Sequence, residues 1–200
     1  EVNKGNTQEV EETIPKVPPP KMVSELFQDL KNGVFVVKTI LGEEFYTQGS
    51  GFFIAKGIGI TNYHVLQGSD QGFIVLSPDN VFPITRILSS SPPDKLDYVI
   101  FETDVKENIS LSISKRNPEI GEDVFAIGTP KGLNNSLTKG TISGIRKNQR
   151  IQIDATIDHG SSGGPLFNLQ GEVIGITTSG VGTGSELNFA VNIQALPYER

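Results

Sequence analysis

The 200-residue chain contains no cysteine and no tryptophan, and its only histidines are His64 and His159. Without cysteine there can be no disulfide framework, thiol nucleophile, zinc ribbon or iron–sulfur site. Two histidines do not make a histidine-rich metal site, and the acidic residues show no metal-ligand spacing. We therefore expect neither a metal nor a cofactor, and any reaction that needs an imidazole base has two candidates.

Positive charge and long apolar runs are also scarce. The 17 Lys and Arg residues are outnumbered by 23 Asp and Glu residues, which gives a formal net charge of −6. There is no basic stripe of the kind that binds nucleic acid. The longest apolar runs, such as Gly33–Val37 and Gly51–Ala55, are far shorter than the ~20 residues that span a bilayer. We therefore expect no nucleic-acid partner and no membrane segment in this chain.

The beginning of the chain differs in composition from the rest. Residues 1–21 are rich in Glu and Pro and contain no aromatic side chain, which predicts a disordered linker. Apolar residues then recur with helical spacing, which predicts a short helix over Met22–Lys31. The remaining pattern, to residue 197, is that of one folded domain.

After this helix the chain is a series of short apolar or alternating segments separated by Gly, Asn, Asp, Ser or Pro. Strands at such close spacing predict an all-β sandwich or barrel, and no helical segments alternate with them as in a parallel sheet. The predicted strands are Val34–Ile40, Phe45–Gln48, Gly51–Ala55, Gly59–Thr61, Phe73–Leu76, Val81–Leu88, Tyr98–Glu102, Asp123–Ile127, Ser136–Ile145, Ile151–Ile153, Pro165–Phe167, Val173–Thr178 and Leu187–Val191.

The segment Gly160–Pro165, of sequence GSSGGP, carries the densest signal in the chain. Gly and Ser at this density are typical of a hairpin turn, and that interpretation stands as the alternative to a functional one. The segment also matches the G-x-S-x-G pattern of α/β-hydrolases. That fold needs a histidine after the serine and a helix following it, and neither is present after Ser162, so this interpretation is excluded.

The order of residues favours a second type of serine enzyme. A histidine, an aspartate and a serine follow one another in chymotrypsin-like double barrels, and this chain offers His64, Asp97 and Ser162 in that order. Asp94 and Asp104 are nearby alternatives for the acid. His159 is the alternative base, but its position in the same loop as Ser162 makes catalytic geometry unfavourable.

Several motifs together resemble the trypsin-like serine proteases, and the HtrA/Deg branch most of all. Three of them surround the candidate residues, as TNYHV, LDYVI and GSSGGPL, and the likeness extends over about residues 24–195. Further agreements are QGSGF at 48–52, AIGTPKGL at 126–133, KGTISGI at 139–145 and NLQGEVIGI at 168–176. The resemblance implies two antiparallel six-stranded β-barrels, the first over about 33–103 and the second over about 118–195, preceded by the short helix.

The resemblance also implies roles for individual residues. Ser162 is expected to be the nucleophile, His64 the base and Asp97 the group that orients His64. The backbone N–H groups of Gly160 and Ser162 are expected to form the oxyanion hole. The residues expected to line the specificity pocket are Thr156, Ile157, Thr177, Thr178, Ser179 and Leu187. None of these carries a charge, which favours cleavage after small or medium apolar residues.

The expected function is that of a serine endopeptidase acting on unfolded or specific protein substrates. Two alternatives stay open: a catalytically latent or inactive module that serves as a binding or sensor domain, and an esterase that does not cleave proteins. The glycine-rich stretch at 180–184 is interpreted as a hairpin loop, because a phosphate-binding loop would need a helix after it. The resemblance further implies a bacterial-type protein outside the cytoplasm, an oligomer, and a trimer if it assembles as HtrA proteins do.

Overall fold

The computed structural model describes residues 21–129, 135–178 and 188–197. Twelve β-strands account for most of this part of the chain, which confirms the all-β prediction. Their bounds are β1 Val34–Leu41, β2 Glu44–Ala55, β3 Ile58–Thr61, β4 Gln71–Ser77, β5 Asn80–Ser91, β6 Tyr98–Thr103, β7 Asp123–Gly128, β8 Ser136–Ile145, β9 Arg150–Ile153, β10 Pro165–Asn168, β11 Val173–Thr178 and β12 Asn188–Asn192.

The strands form two closed six-stranded barrels in which all strand pairs are antiparallel. The first barrel has the order β1-β2-β3-β6-β5-β4 and the second the order β10-β11-β12-β9-β8-β7. Each barrel is thus built from six consecutive strands. This is the double-barrel architecture that the resemblance implied. Closure leaves neither sheet with a long unpaired edge, so the backbone hydrogen bonds of both ladders are satisfied within the chain.

Alternating side chains along the strands supply three apolar clusters. Phe53 on β2 points into the first barrel, where it packs with Phe35 and Phe101. Its neighbour Phe52 points the other way, into a cluster that contains residues of both barrels, including Phe125. The third cluster fills the second barrel. The shared cluster joins the two barrels, and we refer to it below as the inter-barrel cluster.

One strand differs from its prediction. The segments Phe45–Gln48 and Gly51–Ala55 belong to a single strand, β2, which pairs with β1 without a break through Gly49, Ser50 and Gly51. The glycines do not mark a turn here; they allow close packing. A Cβ atom on Gly51 would lie 2.4 Å from the Phe35 ring, and one on Gly49 would lie 2.7 Å from Val65. The two glycines therefore let neighbouring side chains approach the strand.

In the part of the chain that the structure describes, two α-helices accompany the barrels. Helix α1, Val23–Leu30, lies within the predicted helix Met22–Lys31 and is followed by a 3₁₀ turn, Lys31–Gly33. Glu25 accepts a hydrogen bond from the N–H of Met22 at its first turn, and Leu26 packs into the inter-barrel cluster. Helix α2, Tyr63–Leu66, is one turn long, and a second 3₁₀ turn spans Ile193–Ala195.

Apart from Lys21, the predicted linker over residues 1–21 lies outside the described residues. So does the glycine-rich stretch at 180–184. Within the ranges that are described, no helix has the length and apolarity needed to cross a membrane.

Candidate active site

His64 and Asp97 lie together because their strands are neighbours. Strand β3 ends at Thr61 and pairs with Val99 near the start of β6. The end of β3 and the beginning of β6 are therefore adjacent in the antiparallel ladder. The one-turn helix α2 follows β3 and carries His64, while Asp97 directly precedes β6.

The two side chains form a short hydrogen-bonded pair. Nδ1 of His64 lies 2.8 Å from Oδ2 of Asp97, and the main-chain N–H of His64 donates to Oδ1 at 3.1 Å. The Asp97 side chain is 2% exposed and that of His64 is 36% exposed. The carboxylate is thus buried behind the imidazole, and both of its oxygens contact the same residue.

The backbone at Asp97 is held in an unusual conformation. Its φ is +52°, in the left-handed region, which Asp adopts more readily than most residues. The N–H of Asp97 donates to the carbonyl of Pro92 at 3.1 Å, and its carbonyl accepts from the side-chain amide of Asn62 at 2.8 Å. These bonds aim the carboxylate at His64. The alternative acids, Asp94 and Asp104, are exposed.

Ser162 lies in the loop between β9 and β10 of the second barrel. Gly160 and Gly163 on either side of it have φ of +93° and +90°. A Cβ atom on Gly163 would lie 2.2 Å from the carbonyl oxygen of Ser50 and 2.3 Å from Oγ1 of Thr61. Both the backbone conformation and the space require glycine at this position, because the loop is pressed against the first barrel.

Hydrogen bonds fix the peptide groups on both sides of Ser162. The carbonyl of Ser161 accepts from the hydroxyl of Thr177 at 2.8 Å and from the N–H of Gly164 at 3.1 Å. Since a trans peptide directs C=O and N–H oppositely, this fixes the direction of the Ser162 N–H. The next peptide is held at both ends, with the Ser162 carbonyl accepting from Ser50 N–H and the Gly163 N–H donating to Thr177, each at 2.8 Å.

Gly49 lies between helix α2 and the loop that joins β9 to β10, which we call the serine loop. A Cβ atom on Gly49 would lie 3.0 Å from the carbonyl oxygen of Ser162 and 2.7 Å from the side chain of Val65. Val65 is the residue after His64. Ser162, which is 5% exposed, therefore lies in a loop that approaches the helix carrying His64.

The remaining predicted residues have different environments. Thr156 is exposed and Ile157 is 8% exposed. Thr177 and Thr178 are each 1% exposed, and the Thr177 hydroxyl is directed to the serine loop. Ser179 and Leu187 lie outside the described residues. His159 is exposed and lies three residues before Ser162 in the same loop.

A separate ion pair lies on the surface of the first barrel. Arg86 donates two hydrogen bonds to Glu102, of 2.8 and 2.6 Å, and these hold the pKa of that carboxyl below its ordinary value. Glu102 lies near the end of β6, away from Asp97 at its beginning. No group of His, Asp and Glu in the described ranges is arranged to hold a metal ion.

The sequence analysis assigned no role to several polar residues of the site. Ser50 and Asn62 of the first barrel are fully buried, and Thr129 of the second is 2% exposed. The hydroxyl of Ser50 donates to the carbonyl of Gly160 at 2.7 Å, and Asn62 holds the backbone of Asp97. The burial and the contacts of Ser50 single it out in the structure, and no local sequence pattern shows them.

Comparison with known proteins adds an independent line of evidence. Residues 49–176 match the family described as the trypsin-like peptidase domain. A probable periplasmic serine endoprotease of Halomonas elongata, described as DegP-like, is 36% identical over 165 residues. The match covers 76% of this chain and 34% of that protein. Serine endoprotease DegS of Haemophilus influenzae is 36% identical over 160 residues, or 72% of this chain and 46% of its own.

A solved structure agrees with these sequence matches. The serine endoprotease from Yersinia pestis superposes with a TM-score of 0.76 at 28% identity, covering 88% of this chain and 64% of that one. The chain spans between a third and a half of the length of the curated relatives named above. The motifs that carry the resemblance, from the histidine segment to the serine loop, lie inside the matched range.

Proposed function

We propose that this chain, which belongs to the trypsin-like peptidase family and to its HtrA/Deg type, is a serine endopeptidase that uses His64, Asp97 and Ser162. The observation that carries the proposal is the 2.8 Å contact between Nδ1 of His64 and the buried carboxylate of Asp97, beside a serine loop fixed by hydrogen bonds. A histidine oriented in this way next to a serine is the arrangement that activates a hydroxyl for attack.

In the proposed reaction, the Asp97 carboxylate accepts a hydrogen bond from Nδ1–H of His64, which keeps the proton on Nδ1 and leaves Nε2 free to act as a base. Nε2 takes the proton of the Ser162 hydroxyl while the oxygen forms a bond to the scissile carbonyl carbon. The tetrahedral intermediate then collapses and its C–N bond breaks. The leaving amine takes the proton from His64, and an ester to Ser162 remains. Water, deprotonated by His64, hydrolyses this ester and restores the free serine.

The N–H groups of Gly160 and Ser162 are proposed to stabilise the negative oxygen of the intermediate. Removing one such donor typically costs about 10²–10³ in kcat. Two observations support this role. The hydrogen bond to the Ser161 carbonyl fixes the peptide that carries the Ser162 N–H, and the backbone at Gly160 has a defined left-handed conformation.

The proposed substrates are polypeptides cleaved after small or medium apolar residues. The support is chemical: none of the residues assigned to the pocket carries a charge that would attract Lys or Arg. Thr156 and Ile157 remain candidates for its wall. The hydroxyl of Thr177 is used within the serine loop, so we propose that this residue shapes the pocket through its backbone. The preference is expected to be broad, since one methylene changes discrimination by only about 1–3 kcal/mol.

The location and assembly of the protein are part of the proposal. The relative from Halomonas elongata is named as periplasmic, which supports a site of action outside the cytoplasm. A trimer is proposed from the HtrA/Deg resemblance and is measured by light scattering during gel filtration.

Labelling with a fluorophosphonate probe tests the proposed nucleophile. The wild-type protein is expected to be labelled at Ser162 and to degrade unfolded casein, and Ser162→Ala is expected to remain folded and lose both reactions. Exposed Ser112 provides the matched control, because Ser112→Ala removes a serine hydroxyl remote from the loop. Labelling that persists in Ser162→Ala contradicts the assignment, and a folded wild-type protein that is never labelled favours the latent module. Ester hydrolysis without casein degradation favours the esterase.

A further inference from the structure

Ser50, a residue of the first barrel, donates hydrogen bonds to the serine loop of the second barrel. Its hydroxyl donates to the carbonyl of Gly160 at 2.7 Å, and its N–H donates to the carbonyl of Ser162 at 2.8 Å. The residue is 0% exposed. A single residue on β2 therefore holds two carbonyl groups of the loop that carries the proposed nucleophile.

The direction of each hydrogen bond at the Ser50 hydroxyl can be assigned by counting. A hydroxyl has one hydrogen to donate and two lone pairs. The hydrogen goes to Gly160, because a carbonyl cannot donate. The two lone pairs then accept from the N–H and the hydroxyl of Thr129, both at 2.9 Å. Every hydrogen-bonding position of the hydroxyl is used, so its orientation is fixed.

The Gly160–Ser161 peptide is held at both ends by this arrangement. Ser50 binds its carbonyl, and its N–H donates to the carbonyl of Asp158 at 3.0 Å. Asp158 belongs to the same loop, so among the described residues the bond to Ser50 is the hydrogen bond that ties this peptide to the first barrel. Loss of that bond would leave this peptide attached only through its N–H. The neighbouring peptides on its two sides carry the N–H groups of Gly160 and Ser162, and both would lose the fixed position of the peptide between them.

We propose that Ser50 is a positioning residue for the reaction: it orients the Gly160–Ser161 peptide, which lies between the two peptides that carry the oxyanion-hole N–H groups of Gly160 and Ser162. This inference rests on the proposed endopeptidase function. Ser50 contacts neither substrate nor the reacting atoms in this role. It acts across the space between the barrels, so it couples the geometry of the serine loop to the barrel that carries His64 and Asp97.

The variant Ser50→Ala tests this role, with Thr39→Val as the matched control. Thr39 is also a fully buried hydroxyl residue of the first barrel, but it bonds to Thr47 and not to the serine loop. For Ser50→Ala we expect kcat on a peptide substrate to fall about 10- to 100-fold with KM little changed, as for a misplaced transition-state donor. Thr39→Val is expected to leave kcat unchanged even where both variants lower the melting temperature equally.

A second measurement does not depend on activity. Hydrogen exchange of the Ser161 amide, followed by NMR, is expected to be about tenfold faster in Ser50→Ala and unchanged in Thr39→Val, because the peptide opens locally. Equal kcat values for the two variants, or unchanged Ser161 exchange, overturn the proposal. A wild-type protein that reacts with neither substrate nor fluorophosphonate refutes the endopeptidase function and the catalytic part of this inference. In that case the exchange rates still decide whether Ser50 holds the Gly160–Ser161 peptide.

Discussion

In the variant Asp97→Asn, the contacts that His64 makes with residue 97 determine how the new side-chain amide is oriented. The two partners of the carboxylate are the main-chain N–H of His64, which can only donate, and Nδ1 of its ring. In Asp97→Asn the amide oxygen must face the main-chain N–H, so the amide NH₂ faces Nδ1. A donor at Nδ1 stabilises the tautomer that carries its proton on Nε2. In that tautomer His64 cannot take a proton from Ser162.

The expected loss of kcat is about 10⁴-fold, the size found when this tautomer is imposed in a serine protease. That corresponds to about 5.4 kcal/mol of transition-state stabilisation. The fold is expected to survive, because Asn is close in shape to Asp and tolerates the left-handed backbone found at this position. The assay is single-turnover hydrolysis of an activated peptide ester, together with the circular dichroism spectrum and the melting temperature.

Asp94→Asn is the matched control, since it makes the same chemical change at an exposed aspartate three residues away. It is expected to keep wild-type kcat. If Asp97→Asn retains more than about a tenth of wild-type kcat while remaining folded, the tautomer argument and the assignment of Asp97 are refuted. If Asp94→Asn shows the larger loss, the acid has been assigned to the wrong residue.

Two further predictions concern packing. Gly163→Ala is expected to abolish peptidase activity, because its Cβ would overlap Ser50 and Thr61. It should also destabilise the protein by more than the roughly 1–2 kcal/mol that the left-handed backbone alone costs. Gly121→Ala, at a similar φ with open space around it, is the control and should show only the backbone cost in urea unfolding. Phe167→Ala is expected to lower the free energy of unfolding by about 3–5 kcal/mol, since Phe167 is fully buried and its ring stacks on Phe125 at 4.9 Å; a loss below about 1 kcal/mol would contradict its place in the inter-barrel cluster.

The fold class could be predicted because it depends on local patterns. Short alternating segments bounded by turn residues indicated an all-β chain, and the resemblance supplied the two barrels. Local reasoning failed at β2, where Gly49 and Gly51 look like a break between strands. Their role is to admit Val65 and Phe35, and those contacts depend on the closed barrel. Helix α2 was missed for another reason: a single turn has no periodicity to detect.

The candidate site was likewise predictable only where short sequence motifs carry the information. The motif sequences named His64, Asp97 and Ser162, and the structure shows the contact between the first two; the roles of all three, of the oxyanion hole and of the pocket stay predictions. The contact from Ser50 to Gly160 joins residues 110 positions apart. No local pattern contains such a contact, because it exists only once both barrels have formed and packed together.

The inter-barrel cluster has a consequence for how such a protein changes over evolutionary time. His64 follows a strand of one barrel and Ser162 precedes a strand of the other, so their spacing follows from how the barrels pack through apolar residues such as Phe52 and Phe125. Substitutions among these residues are therefore expected to shift the rate of the proposed reaction while its chemistry stays the same. Natural variation in turnover among related proteins should therefore accumulate in the packing between the barrels, while the reacting groups themselves stay the same.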